Sequence, residues 1–304
     1  MLHEVFYWVF NMSIAAALTG LIVLLIRTIR RIPRRLITVL WAIPFLRMAV
    51  PVGIDSPYGL MALLSRLTTK TVVVYQPADE VTLSVMNFTM AADRYFPITY
   101  KTNVLERVFS VASGIWAVVG LAILLTLVIL YGTTRHEMRD AAPLKENIFL
   151  SDKCLSPAVY GILRPRIVLP AAYRDKEREL VLLHERTHIR RGDNLWRALG
   201  FLIVSVHWFN PLAWVFLKAF LADLELSCDE CVLKKLGEER AKEYARTLLS
   251  CGESRSVFAS AFGGAKIRTR IENILSFRKM TGLSLAAFLI LIGMIFYVLL
   301  TNAG

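Results

Sequence analysis

Five stretches of this 304-residue chain carry no charged side chain apart from a single arginine, and each is long enough to cross a bilayer. They are residues 5–26, 36–54 (interrupted by Arg47), 108–131, 199–217 and 280–300. About twenty apolar residues in a helix span the hydrocarbon core, and a helix satisfies its backbone polar groups internally. The expected fold class is therefore a mainly α membrane protein, a multi-span helical bundle. A hydrophobic share of 56% agrees, since soluble domains lie closer to half. The first, third and fifth runs are uniformly apolar and read as plain spans. The second holds Pro44, Arg47 and Pro51, and the fourth holds His207, Asn210 and Pro211, so neither reads as a simple span. A cleaved leader is not expected, because the first run lacks a basic start and its positive charges follow it.

The net charge of +12 raises the question of nucleic acid, but its distribution speaks for topology and no direct nucleic-acid binding is expected. Residues 27–35 carry five arginines, and residues 132–279 carry 25 Lys and Arg against 18 Asp and Glu. Residues 55–106 hold four basic side chains and both chain ends hold none. Basic residues are retained on the cytoplasmic side. The expected layout is a cell-membrane, multi-pass protein with its N-terminus outside. Residues 1–54 form two spans and a basic inner loop, 55–106 an external loop, and 107–131 the third span. Residues 132–279 form a cytoplasmic domain, and 280–304 the last span with a short external tail. The run 199–217 must then return to its own side or re-enter, and Asn210-Pro211 suits a turn. All four cysteines (Cys154, Cys228, Cys231 and Cys251) fall in the inner part, which argues against structural disulfides.

Within the external loop, residues 71–75 and 81–88 read as a hairpin. In the inner part, residues 148–150 and 167–169 read as short strands, the small β element of the fold. A helix is expected from Asp175 through Arg190, ended by Gly192-Asp193, with an inner stripe of Leu180, Leu183, His184, Thr187 and His188. Further helices are expected from Ala219 through the acids and over residues 238–251.

His184-Glu185-Arg186-Thr187-His188 is an H-E-x-x-H motif. Residues four apart share a helix face, so both imidazoles can point at one metal, while Glu185 sits about a hundred degrees round and can reach its water. Zinc lowers the pKa of such a water to about 7, and the carboxylate accepts its proton. A catalytic zinc takes three protein ligands, and the third must come from elsewhere. Asp223, Glu225, Asp229 and Glu230 are the candidates. Glu225 and Asp229 share a face, so one could bind zinc and the other support a ligand; spacing leaves the choice open. His207 reads as a packing histidine or as a polar group near the site. Cys228-Asp-Glu-Cys231, a lone C-x-x-C, reads as small buried residues flanking the acids. Arg47 reads as facing a partner or a wet cavity rather than lipid.

The run His184-Glu-Arg-Thr-His-Ile-Arg-Arg-Gly-Asp, then His207-Trp-Phe-Asn-Pro, then Glu225-Leu-Ser-Cys-Asp-Glu resembles the BlaR/MecR antirepressor family of membrane metallopeptidases. Upstream, Ser156-Pro-Ala-Val-Tyr-Gly-Ile-Leu-Arg-Pro-Arg-Ile-Val-Leu-Pro is similar to it too. The resemblance implies a gluzincin-like zinc endopeptidase domain with His184, His188 and Glu225 as metal ligands and Glu185 as general base. It implies Asp229 as a supporting or extra ligand, and a signal-activated antirepressor that cleaves a winged-helix repressor or itself. Self-cleavage is expected between Ser276 and Phe277, in the polar linker 268–279, where a small residue precedes a bulky apolar one. The partners expected are the lipid bilayer and the repressor, and a homodimer is allowed. Relatives that sense β-lactams carry a large external domain after the last span, and this chain stops at Gly304, so antibiotic sensing is not expected of it alone. Two other readings are a quality-control protease resembling HtpX and a non-catalytic membrane transducer; the intact Glu185 speaks against the latter.

Overall fold

The computed structural model describes residues 2–29, 31–51, 56–60, 62, 103–152, 154, 156–162, 164–171, 175–252, 265–277 and 281–301. The hairpin expected at 71–88 lies outside the described residues. The architecture is mainly helical with one small sheet. Among the described residues, three helices are long and apolar enough to cross a membrane.

The first is α1 (Leu2–Arg27). Two of its polar side chains bond back to its own turns, Asn11 Nδ2 to the Tyr7 carbonyl at 2.9 Å and Thr19 Oγ1 to the Ala16 carbonyl at 3.1 Å, which meets those donors inside an apolar setting. The second run does not form one helix. It folds as α2 (Arg34–Leu40) and α3 (Ala42–Ala49), broken at the fully buried Trp41. Arg47 faces a partner, as expected: it is buried, and its guanidinium donates to the carbonyls of Leu299 (3.0 Å) and Thr301 (2.8 Å). Those carbonyls lie at the end of α10 (Gly282–Leu300), where a helix has no partners of its own. The third long helix, α4 (Asn103–Glu137), runs about 52 Å. It exposes Val111, Ile115, Val118, Leu121, Leu125 and Val128, the surface a lipid-facing helix presents.

The run 199–217 is the tip of a helical hairpin. Gly192, at φ 67°, turns the chain directly from α5 (Asp175–Arg191) into α6 (Asp193–Val206). Asn210 caps α7 (Pro211–Leu236), accepting from Leu212 N at 2.9 Å, with Pro211 in the first turn. Helix α7 begins earlier than expected and runs unbroken from the apolar run into the acidic cluster. The turn packs Phe209 on Phe6 and Phe10 of α1, and Nε2 of His207 donates to the Met48 carbonyl of α3 at 3.0 Å. It thus lies at the end of the bundle opposite Arg27 and Arg34, and His207 is a packing residue. Where α1 crosses α7, Gly20 is required: a Cβ there would sit 2.2 Å from the Phe216 ring.

At the Arg27 end, a four-stranded sheet precedes α5. Its strands are β1 (Ala142–Lys145), β2 (Ile148–Ser151), β3 (Ala158–Tyr160) and β4 (Arg166–Pro170), in the order β1-β2-β4-β3. β2 and β4 are parallel and the outer pairs antiparallel. Ile148, Ile167 and Leu169 bury against Val181, fixing α5 on the sheet. Two further helices, α8 (Ala241–Gly252) and α9 (Ile267–Leu275), close over α5 and α7 through Leu180, Val232, Leu233, Tyr244, Leu248 and Ile274.

Candidate active site

Five helices, α5 to α9, bring the chemistry together. On α5, His184, Glu185 and His188 are all buried. The Nε2 atoms of the two histidines stand 3.0 Å apart. Glu225, from α7, places Oε2 3.7 Å from His184 Nε2 and Oε1 3.6 Å from His188 Nε2. A tetrahedral ion with nitrogen and oxygen ligands at about 2.0–2.2 Å separates them by roughly 3.3–3.6 Å. Two imidazoles and one carboxylate converging at 3.0–3.7 Å therefore fit a catalytic zinc, leaving a fourth position open.

The four acids of α7 sort by helix face. Glu225 joins the histidines, and Asp229 lies one turn on, with Oδ1 3.4 Å from His184 Nδ1. Asp223 and Glu230 point away from the site. Asp223 accepts from Arg27 Nε at 2.7 Å and Trp41 Nε1 at 2.8 Å. Glu230 takes the backbone N–H groups of Arg34 (2.9 Å) and Arg35 (3.3 Å), donors that the first turn of α2 cannot satisfy within the helix. One helix thus carries the carboxylate that meets the two histidines on one face and the anchor of the segment joining α1 to α2 on another.

Around the donors lie residues that the sequence reading did not single out. Asp193 Oδ2 is 2.5 Å from His188 Nδ1. The neighbouring Asn194 fastens the sheet edge to this corner, its amide donating to the carbonyls of Val159 and Gly161, each at 3.0 Å. Arg197 pairs with Glu225 Oε1. Tyr244 O–H lies 2.8 Å from His184 Nδ1 and donates to Asp229 Oδ1 at 2.7 Å. Arg270 grips both oxygens of Asp229 (2.7 and 2.8 Å) and reaches Glu225 Oε2 at 3.4 Å. Cys228 is not merely a flanking residue. It is fully buried, and its Sγ lies 3.6 Å from His184 Nδ1. With the two histidines it forms a second three-donor group. No disulfide forms among the described cysteines.

The charges tune one another. Burial alone would lower His184, but Cys228 and Glu225 outweigh it and hold the imidazole up at about 9. His188 is raised too, against burial, by Cys228, Glu225 and Asp193. Burial would raise Glu225, yet His188, His184 and Arg197 hold it well below the usual carboxylate range.

The expected polar linker 268–279 is helical through Leu275, where Arg270, Ile271 and Ile274 turn toward the core. Ser276 ends α9, its Oγ donating to the Glu272 carbonyl at 2.8 Å, and Phe277 packs against the core of α5, α7, α8 and α9.

Residues 7–274 match the profile of the BlaR1 peptidase M56 family. The regulatory protein BlaR1 of Bacillus licheniformis is 32% identical over 164 residues, covering 50% of this chain and 27% of that protein. The methicillin resistance mecR1 protein of Staphylococcus aureus strain Mu50 is 31% identical over 105 residues, 33% of this chain and 18% of that protein. The BlaR1 regulatory protein of Staphylococcus aureus is 24% identical over 143 residues, covering 43% and 24%. The aligned segments thus span less than a third of these curated relatives. Because the profile match runs from α1 into α9, and so takes in all five helices that build the site, the chain belongs to the BlaR1 peptidase M56 family.

Proposed function

We propose that this chain is a membrane-embedded zinc endopeptidase that acts as a signal-activated antirepressor, cutting a cytoplasmic winged-helix repressor and itself. The observation that carries the reading is the convergence of His184 Nε2, His188 Nε2 and the Glu225 carboxylate within 3.0–3.7 Å of one another. His184, His188 and Glu225 would hold the zinc, with Asp229 supporting His184. Bound there, zinc supplies a Lewis acid and makes water easier to deprotonate. The Glu185 carboxylate accepts a proton from the attacking water and returns it to the leaving amide nitrogen. Helices α8 and α9 cover one side of the site, and the burial of His184, Glu185 and His188 strengthens the interactions of their charges.

The orientation that fits the charge distribution puts the five-arginine loop and the catalytic helices in the cytoplasm. Self-cleavage falls between Ser276 and Phe277, one residue beyond α9, so the catalytic body would keep Arg270 after the cut. Phe277 must first leave its packing, which makes the bond conditional on local opening. The repressor assignment is drawn from the regulatory relatives and from the family resemblance.

Wild type and Glu185→Gln, each incubated with a winged-helix repressor, test the reading by mass spectrometry. The expected result is a cut repressor and a fragment beginning at Phe277 in wild type only. Repressor cleavage by Glu185→Gln at the wild-type rate would refute the role of Glu185. An uncut repressor beside many degraded membrane proteins would point instead to quality control.

A further inference from the structure

The hydroxyl of Tyr244 bridges two site residues that are each otherwise accounted for. It lies 2.8 Å from His184 Nδ1 and 2.7 Å from Asp229 Oδ1. A tyrosine hydroxyl has one proton to donate. Asp229 already receives two N–H bonds from Arg270, Nε on Oδ2 at 2.8 Å and a terminal nitrogen on Oδ1 at 2.7 Å, and a carboxylate held in this way only accepts. The tyrosine proton therefore points at Asp229, and the tyrosine oxygen must accept from His184. That places a proton on His184 Nδ1 and directs the lone pair needed for a metal to Nε2. Nε2 is the nitrogen facing His188 at 3.0 Å and Glu225 at 3.7 Å.

We propose that Arg270, Asp229 and Tyr244 form a positioning relay that fixes the tautomer and ring orientation of His184, with Arg270 setting Asp229 and Tyr244 carrying that setting to the imidazole. The proposal rests on His184 being a metal ligand. His188 is held by a shorter version of the same device, with Asp193 bonded straight to Nδ1 at 2.5 Å. Among the described residues His184 has no carboxylate as close: Asp229 stands 3.4 Å away, and the hydroxyl fills the gap.

The relay also explains why α9 belongs to the catalytic body. Arg270 is buried although it lies on a short helix just before the last span. Its neighbours on the inner face are Ile267, Ile271 and Ile274, so an arginine there is a charge set into an apolar stripe. Such a charge persists when it is paired and bonded, which Asp229 and Glu225 provide. Tyr244, with 1% exposure, has its ring in the core of α5, α7, α8 and α9, and only its hydroxyl is given over to the relay.

Zinc affinity of the full chain in detergent, measured by chelator competition, tests this in wild type, Tyr244→Phe, Arg270→Met and the double variant. Tyr244→Phe keeps the ring and so keeps the packing; it is expected to weaken zinc by about 10–100-fold, and Arg270→Met by a similar factor. The double variant is expected to bind no more weakly than Arg270→Met alone, which breaks the relay at its source and also removes the direct contacts of Arg270 with His184 Nε2 (3.3 Å) and Glu225 Oε2 (3.4 Å). Where Arg270→Met does not fold, Arg270→Lys replaces it, since lysine keeps the charge but not the fork. Wild-type affinity in Tyr244→Phe would overturn the relay and leave the metal site standing. Losses that multiply in the double variant would likewise overturn it, because they would mean two separate structural effects. Absence of zinc from the wild type would overturn the metal site and the relay together.

Discussion

Asp223 and Glu225 lie two residues apart on α7, and the fold gives them opposite jobs. Replacing Asp223 with Asn tests that division. Asp223 is fully buried and accepts from Arg27 at 2.7 Å and Trp41 at 2.8 Å, while Arg34 stands 3.6 Å from its other oxygen. An asparagine oxygen can keep the first two bonds, but only the one from Trp41 becomes neutral, because Arg27 stays charged. A hydrogen bond to a charged group contributes about 1.5–3 kcal/mol and a neutral one about 0.5–1.5, so that bond loses about 1–1.5 kcal/mol, and the ion pair with Arg27 is lost as well. Asp223→Ala, which strands both arginines and the indole N–H, is expected to cost about 3–5 kcal/mol, the range for breaking a buried pair. Equilibrium unfolding in mixed micelles reads both losses, and elemental analysis reads the metal. Both variants should retain zinc, because no bond from Asp223 reaches the histidines, whereas Glu225→Ala should lose most of it. If Asp223→Asn unfolds like wild type, or loses its zinc while Glu225→Ala keeps it, the sorting of the acids by helix face is wrong.

Three further outcomes follow from the same geometry. His184 is held up at about 9, so below that pH a metal must displace a proton; zinc affinity should rise from about pH 6 to about 9 and then flatten, and a flat profile in chelator competition would count against it. Asp193→Asn offers His188 Nδ1 an amide in place of a carboxylate and should weaken zinc by about 10–100-fold in the same assay; unchanged affinity would remove Asp193 from the site. Arg47→Met leaves the last carbonyls of α10 without their donor and should cost about 2–3 kcal/mol in micelle unfolding with zinc unchanged; wild-type stability would mean that the contact contributes nothing.

Much of the site was legible because it is local. Two histidines four apart on one helix, and two acids four apart on another, announce shared faces whatever lies between them. The turn at Asn210-Pro211 and the strands at 148–150 and 167–169 were legible for the same reason. Tyr244 and Arg270 were not, being 60 and 86 residues from His184 and arriving on separate helices. Arg270 did leave one trace, an arginine among Ile267, Ile271 and Ile274. Its neighbours Arg268 and Glu272 made the segment read as a polar linker. Asp193 was taken only as part of a helix end, although it lies five residues past His188, within reach of the ring. The start of α7 was misplaced because composition changes from apolar to acidic in mid-helix, and hydropathy marks that change rather than the helix boundary. The break at Trp41 arises from tertiary packing, which a run of apolar residues does not encode.

The central claim is that His184, His188 and Glu225 hold a zinc whose water Glu185 deprotonates. The most direct measurement pairs metal content with proteolysis on the purified full chain in four forms: wild type, His184→Ala, His188→Ala and Glu185→Gln. The account predicts close to one zinc per chain in wild type and in Glu185→Gln, loss of zinc in both histidine variants, and cleavage by wild type alone. Full zinc occupancy in both histidine variants, or wild-type cleavage by Glu185→Gln, would contradict it.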